Sequence, residues 1–495
     1  MSKSSKGRQS PRTTGPVLRI LAAANPWWTS GAVPAGRAPP FRRREFALLR
    51  SALESPLITG LAGPRQVGKT TLMYQLIDDA LHRGFDPRRI LFVAMDFPGI
   101  SRISEDPISS ALEAHEEAIL VSPYESTEDR VLVLLDEVTK VELWHETLKG
   151  WYDRRLPLKF VVSDSSATGI RRGLSESLIG RCTVDVLLPM RLAEVAAFHD
   201  PRPPWEEVAL GLRGALVRSV KRRSPSAYFA ELMGARNRLA PWEGALLRRF
   251  REYLLKDGYP ELLHSEDWDW CARRLREYCA LVFARDLLRH YEVRDTKALD
   301  SLVGLLADQP GQRFDLTTVA RAIGVSVPVA REYLSHLESV FVASSSEFYA
   351  SSRMARMRKQ KKLYISNVGL GNALSGRLGV ELLQDTGALG RVVETAVRDH
   401  CERLVSDLEP GRAPKVYYWR NYRGQEVDVV VPLAGVPVPV EVKHQPRVTD
   451  ADTRPVVDFL EAHPTAPFGV VVTKDTLERR GRVVLVPAPL FMLGA

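Results

Sequence analysis

The amino-acid sequence predicts an α/β protein of several domains, with a buried parallel sheet in front, a helical middle and a second α/β domain at the end. Three observations predict it. From about residue 41 to 198, short continuous apolar runs alternate with helical stretches, the pattern of strands covered on both faces. From 205 to about 310, apolar residues recur at helical spacing throughout. After about Gly387, a helix (391–404), three strands (416–420, 426–431 and 438–444), a helix (453–463) and a strand (469–474) follow in turn. A chain of 495 residues holds three or four domains at roughly 100–200 residues each.

Composition narrows the class. Hydrophobic residues at 45% and charged residues at 26% are ordinary globular values, and no run approaches the ~18 apolar residues of a membrane span. The four cysteines, Cys182, Cys271, Cys279 and Cys401, form no CxxC pair, so neither a zinc site nor a disulfide framework is expected. A soluble protein of the cytoplasm fits this usage, with no membrane partner. The net charge of +9 sits in the first 50 residues, where ten Lys and Arg face Glu45 alone; the remaining chain holds 59 of each sign. Residues 1–40, rich in Ser, Pro, Gly and Arg, therefore read as a basic disordered arm, with Trp27 and Trp28 as a docking point.

The domain at 41–200 carries the clearest chemistry. Gly63, Pro64, Arg65, Gln66, Val67, Gly68, Lys69, Thr70 and Thr71 fit GxxxxGK[ST] between a strand-like run, 57–62, and a helix predicted over 70–81. Glycines let backbone N–H groups turn around phosphate oxygens, Lys69 reaches the β and γ phosphates of ATP, and the Thr70 hydroxyl ligates Mg²⁺. The buried run 131–135 ends in Asp136 and Glu137. Asp136 is the expected Mg²⁺ partner and Glu137 the carboxylate that polarises water. A further strand, 158–162, leads into Ser163, Asp164, Ser165 and Ser166, and Ser165 is either a γ-phosphate-sensing residue or part of an ordinary loop. Arg181 reads either as a solvated loop arginine or as an arginine finger presented to a neighbouring subunit.

These motifs resemble the prokaryotic AAA-type P-loop ATPase family that joins a nucleotide-binding domain to a C-terminal domain of unknown function. The matching pieces are the loop at 63–71, Leu134 to Glu137, Glu176 to Arg181, Asp257 to Pro260, Arg285 with Asp286, Gly390 with Glu394, Tyr418 to Arg420, and Glu426 to Asp428. The chain departs from the pattern at Asp257, where the family often has glycine, and at Ser366 and Asn367, where it often has aspartate. The resemblance implies ATP binding and hydrolysis, a RecA/AAA-like parallel sheet and a nuclease-like tail.

Prolines at 201, 203 and 204 close the first domain, and 201–310 reads as a helical lid or linker in which Gly258 and Pro260 stop the helix bearing Leu246, Phe250 and Tyr253. The segment 311–379 has a winged-helix layout: helix, turn at Gly324, helix with Arg331 outward, then two strand-like runs. Arg353, Arg356, Arg358, Lys359, Lys361 and Lys362 follow within ten positions, a density suited to DNA phosphates. Such units also serve as packing modules.

In the last domain, 380–495, Glu394 lies on a helix, Asp428 on a strand, and Glu441 and Lys443 two apart on one face of the next strand. A hairpin near Gly435 brings them together. An acid followed about a dozen residues later by Glu-x-Lys resembles the PD-(D/E)XK nuclease core, archaeal Holliday-junction resolvases included, which gives a restriction-endonuclease-like α/β fold. On that resemblance Asp428 and Glu441 ligate Mg²⁺ or Mn²⁺ and Lys443 orients water. Tyr418, Trp419, Arg420, Tyr422 and Arg423 beside them suit base stacking or plain packing.

The expectation is an ATP-dependent, oligomeric DNA-processing ATPase with a metal-dependent nuclease-like domain acting on branched or junction DNA. The alternative is a nucleotide-switched signalling or regulatory ATPase whose last domain is a scaffold.

Overall fold

Four of the expected apolar runs become strands of one sheet in the structure, a computed structural model that describes residues 11–101, 104–165, 177–287, 293, 295–350, 352–357, 359–408 and 415–495. They are β1 (Ile58–Ala62), β2 (Ile90–Ala94), β3 (Val131–Asp136) and β4 (Leu158–Asp164). A fifth, β5 (Cys182–Val186), has half-exposed residues and no apolar run to announce it. The order is β2-β3-β4-β1-β5 and every pairing is parallel. Parallel strands need covered faces, and β1 and β3 are buried along their whole length. Because β4 lies between β1 and β3, the ends of all three strands that carry motifs open on the same edge of the sheet.

The expected disordered arm is ordered wherever it is described. A helix spans Pro11–Ala24, and its Val17 and Leu21 belong to the apolar core together with Ile58, Leu91, Val133 and Phe160. Asn25 then behaves as a one-residue strand on the edge of β2: its amide donates to the Phe92 carbonyl at 2.8 Å and accepts from the Phe92 N–H at 2.6 Å. Trp27 and Trp28 both donate indole N–H groups to the Ile90 carbonyl, at 3.1 and 2.8 Å. An open sheet edge is a liability that these contacts cover. A mean composition poor in apolar residues hides the few that are spaced on one helical face. Residues 1–10 of the arm lie outside the described residues, as do Ser166, Glu176 and Arg358.

The chain divides into two compact units, Met1–Leu188 and Pro189–Ala495. The boundary falls before the proline cluster because the helix Leu192–His199 packs within the second unit, against Trp205–Lys221 and Glu243–Lys256. Three expected domains are one here. After the helices of 205–308 comes a nine-stranded mixed sheet: β6 (Arg313–Phe314), β7 (Ala343–Phe348), β8 (Lys361–Ile365), β9 (Tyr417–Arg420), β10 (Glu426–Leu433), β11 (Val436–Lys443), β12 (Gly469–Thr473), β13 (Glu478–Arg480) and β14 (Val483–Pro487), in the order β13-β14-β12-β11-β10-β9-β7-β8-β6. The junction is a parallel pairing of β7 with β9, Glu347 opposite Tyr417, which fuses the expected winged-helix and C-terminal segments into a single sheet. Ala434 and Gly435, at φ 49° and 80°, make the two-residue turn between β10 and β11.

Candidate functional site

The phosphate loop leaves β1 at Ala62 against the backbone of Leu187. A Cβ on Gly63 would lie 2.0 Å from the Leu187 carbonyl oxygen, so only glycine passes there. Gln66 and Gly68 take positive φ, 64° and 99°, and the helix Lys69–His82 starts at once. Lys69 is buried, with Nζ donating to the carbonyls of Gly63 and Pro64 at 2.9 Å each. Burial pushes its pKa down, against the pull of Glu137, Asp136 and Asp164. Arg43 donates to the Val67 carbonyl of the loop at 3.3 Å and to that of Leu188 at 2.7 Å, a support that the sequence hides among the arm's arginines.

Across the sheet edge, Asp136 ends β3, and among the described residues no lysine or arginine forms an ion pair with it, Lys69 acting only from a distance. Its carboxylate accepts from the Thr70 hydroxyl at 2.6 Å and from the Ser163 hydroxyl. Burial pushes its pKa up, and the two hydroxyls pull it back. Glu137 sits at φ 53°, just past the strand; its N–H donates to Ser163 Oγ at 3.2 Å and its carboxylate accepts from Ser165 Oγ at 3.1 Å. Ser163, at the end of the intervening strand, thus bridges the two acids. The polar run after 162 signals its place, but its role needed the strand order. Oxygen donors at Thr70 and Asp136, at the carboxyl ends of parallel strands where α/β sheets bind ligands, suit Mg²⁺; Lys69 holds carbonyls that a phosphate would replace.

Arg181 lies at the other end of this sheet, immediately before β5, with its carbonyl accepting from the N–H of Ile58. Its guanidinium pairs with Asp153 at 2.8 Å. It lines a cleft of about 790 Å³ together with Arg130, Arg155 and Lys159, away from its own chain's loop.

Residues 55–196 match the family described as AAA domain. The first unit carries an AAA-type P-loop ATPase domain. Residues 247–381 match a domain of unknown function, DUF8612, and residues 389–491 another, DUF4143. The chain is similar to an uncharacterized protein of Mycobacterium tuberculosis, 26% identical over 403 residues that span 81% of this chain and 74% of the other. An uncharacterized protein of Methanocaldococcus jannaschii is 23% identical over 348 residues, 68% of this chain and 66% of its own. A structure of C. elegans PCH-2 aligns over 43% of this chain and 49% of its own at 13% identity, with a TM-score of 0.20 that carries no argument. No described helix is long and apolar enough to cross a membrane.

In the second unit the expected acids do converge. The register Val429 to Val440, continued by one residue, sets Asp428 opposite Glu441; the Asp428 N–H donates to Glu441 at 3.2 Å and the Val442 N–H to Asp428 at 3.0 Å. Lys443 donates to Glu441 at 2.5 Å, and Glu394 reaches the cluster from the helix Thr386–Leu408. Burial first and Asp428 second push the pKa of Glu441 well up, and the same two causes raise Glu394 to about 7.

The group at the centre is one the sequence reading assigns to DNA phosphates. Lys362, from β8, is buried, with Nζ 2.6 Å from Glu426, 3.0 Å from Glu394 and 3.3 Å from Asp428. The residues therefore do not fit the divalent cation expected between Asp428 and Glu441: an ammonium holds the acids, and among the described residues no group of three His, Cys, Asp or Glu side chains is disposed to hold a metal ion. No local pattern marks Lys362 in the sequence: β8 is exposed at Lys361 and buried from Lys362 to Ile365, without the alternation that would single it out. Tyr418 and Trp419 are buried, Trp419 against Phe459, so they pack; Tyr422 is exposed, with the Arg423 guanidinium over its ring.

Proposed function

We propose that the protein is a Mg²⁺-dependent ATPase that works as a nucleotide-controlled regulatory switch on DNA, its second unit a binding scaffold. One observation carries the hydrolytic part: Lys69, Thr70, Asp136 and Glu137 meet at one sheet edge, with Thr70 2.6 Å from Asp136. Lys69 exchanges the Gly63 and Pro64 carbonyls for β and γ phosphate oxygens. Thr70 and Asp136 hold Mg²⁺, which neutralises charge on the phosphates. Glu137 takes the proton of the attacking water as its oxygen bonds to the γ phosphorus and the bond to ADP breaks. ATP turnover by Glu137→Gln equal to the unmodified chain would sink this assignment.

DNA as partner is supported by the helices Leu316–Ala322 and Val327–Ser339 joined through Gly324 at φ 76°, followed by β7 and β8, the order of a winged helix with Arg331 exposed. Lys359 and Lys361 are exposed beside it. Replacing Arg331, Lys359 and Lys361 lowers affinity for unrelated DNA sequences alike and flattens the salt slope, since phosphate contacts release counterions.

Assembly is supported by Arg181, which faces away from its own nucleotide. Arg181→Ala binds ATP without hydrolysing it, and mixing it with Lys69→Ala chains restores part of the turnover. No restored activity on mixing removes the arginine-finger role.

A second reading, metal-dependent cleavage of branched or junction DNA by Asp428, Glu441, Lys443 and Glu394, draws on their convergence and requires Lys362 to leave Glu394 and Asp428 before a cation enters. A panel of labelled linear and four-way DNA with Mg²⁺ or Mn²⁺ separates the two: cut strands favour cleavage, bound but intact DNA the scaffold.

A further inference from the structure

The carboxylate cluster of the second unit is balanced in a way that an open metal site is not. Three acids from two elements, Glu394 on a helix and Glu426 and Asp428 on β10, lie around one ammonium. Lys362 donates to Glu394 at 3.0 Å and to Asp428 at 3.3 Å, and pairs by charge with Glu426 at 2.6 Å. A hard cation would draw the same oxygens to about 2.0–2.6 Å. Burial alone drives a lysine towards its neutral form; here Tyr364, Glu394, Asp428 and Glu426 outweigh it and hold Lys362 charged. The remaining acid, Glu441, has Lys443. The lysine also comes from the segment N-terminal to the cluster, on a strand paired with β6 and β7, so its charge ties that segment to the acids.

We propose that Lys362 is a built-in counter-ion that closes this carboxylate cluster to divalent cations, so that the resting chain holds the site's charge without metal. The inference deepens the scaffold reading and rests on it. Of the nuclease-like trio, Asp428 is then engaged by Lys362 and Glu441 by Lys443, so each acid has a cation from the chain itself. Removing the ammonium opens the cluster, because three half-buried carboxylates that lose their shared cation repel one another and only Glu426 keeps a second one, Arg313.

The test is Mn²⁺ titration calorimetry on the full-length chain without nucleotide, in a Thr70→Ala, Asp136→Asn background so that neither metal ligand of the nucleotide site remains. Lys362→Met takes up one Mn²⁺ per chain and its melting temperature rises with Mn²⁺, whereas the chain retaining Lys362 gives neither heat nor shift. If Lys362→Met does not fold, the double variant Lys362→Met with Glu426→Gln removes one acid along with the ammonium and leaves Glu394, Asp428 and Glu441 for the ion. Mn²⁺ binding by the chain retaining Lys362 overturns the proposal. So does a folded variant that binds none. Strand cleavage on the labelled DNA panel is read separately: cut DNA removes the scaffold reading, while a metal-binding failure with intact DNA removes this inference alone.

Discussion

Two buried lysines, one in each unit, are surrounded in opposite ways. Lys69 donates to the carbonyls of Gly63 and Pro64, while the nearby Asp136 accepts from the hydroxyls of Thr70 and Ser163. Lys362 is held by the carboxylates of Glu394, Glu426 and Asp428. In the first place cation and anion are kept on neutral partners, each satisfied as a hydrogen-bonding group but not as a charge. Burial accordingly lowers the pKa of Lys69 and raises that of Asp136. In the second, the cation lies directly against carboxylates, which outweigh burial, and Lys362 moves up. The difference teaches that residue types alone do not define a ligand site. A lysine and two acids form one when their charges are left for a ligand to balance.

The largest effect breaks the comparison at its functional side. Lys69→Ala should cut ATP turnover by roughly 10³-fold or more and weaken ATP binding, with no loss of stability, because the lysine is costly to bury. Glu137→Gln should lower kcat by about 10²–10⁴ while ATP still binds. Steady-state hydrolysis beside equilibrium ATP binding checks both. If Lys69→Ala unfolds the first unit, Lys69 belongs with Lys362 as a structural charge and the contrast collapses.

Next comes the other lysine. Lys362→Ala should destabilise the second unit by about 2–3 kcal/mol in urea, below the full cost of breaking a buried pair, since it takes the shared cation from three half-buried carboxylates of which Glu426 keeps Arg313. ATP binding should stay as it was. Loss of less than about 1 kcal/mol would mean the cluster is solvated. Lys443→Ala, which removes a half-buried pair, should cost only about 1 kcal/mol by the same measurement.

A third lysine gives the smallest and sharpest test. Lys159 is buried on the Leu57 carbonyl and the Thr59 hydroxyl, with no carboxylate on it, and burial lowers its pKa to about 8 from 10.5. Between about pH 8 and 10.5 the unfolded chain therefore binds the proton that the native chain has released, and stability rises with pH across that window. Buried thiols such as Cys182 and Cys279, pushed up to about 12, cost stability above about pH 9, so the reading is the difference from Lys159→Met, in which they cancel: the unmodified chain should gain on the variant across this window. A difference that shrinks instead would place a negative partner on this lysine and assign it to the Lys362 class.

The legibility of the two units in sequence differs for the same reason. The phosphate loop, the strand ending in Asp136 and Glu137 and the strand entering Ser163 are local patterns, each contained in fewer than about ten residues, so periodicity and spacing disclose them. The acids at 394, 428 and 441 were also legible, because one hairpin turn fixes the register of Asp428 and Glu441. Lys362 was not. It is 66 residues from Asp428, and only the pairing of β7 with β9 carries its strand into the same sheet. The same nonlocal pairing carries the sheet across the boundary expected at 379, where the two family matches also divide. At the other end, the basic composition of residues 1–40 concealed Val17 and Leu21, though not Trp27, since charge averaged over a segment does not report which face is apolar. Spacing found the acids, and topology alone supplied their counter-ion.

The most direct test counts bound Mn²⁺ per chain by electron paramagnetic resonance, with and without ATP. Cation binding should depend on nucleotide: one Mn²⁺ per chain with ATP, retained in Glu137→Gln and lost in Lys69→Ala, and none held tightly without ATP. Tight Mn²⁺ binding in the absence of ATP that persists in Lys69→Ala would contradict the account, because the cation would then belong to the carboxylates that Lys362 is said to close.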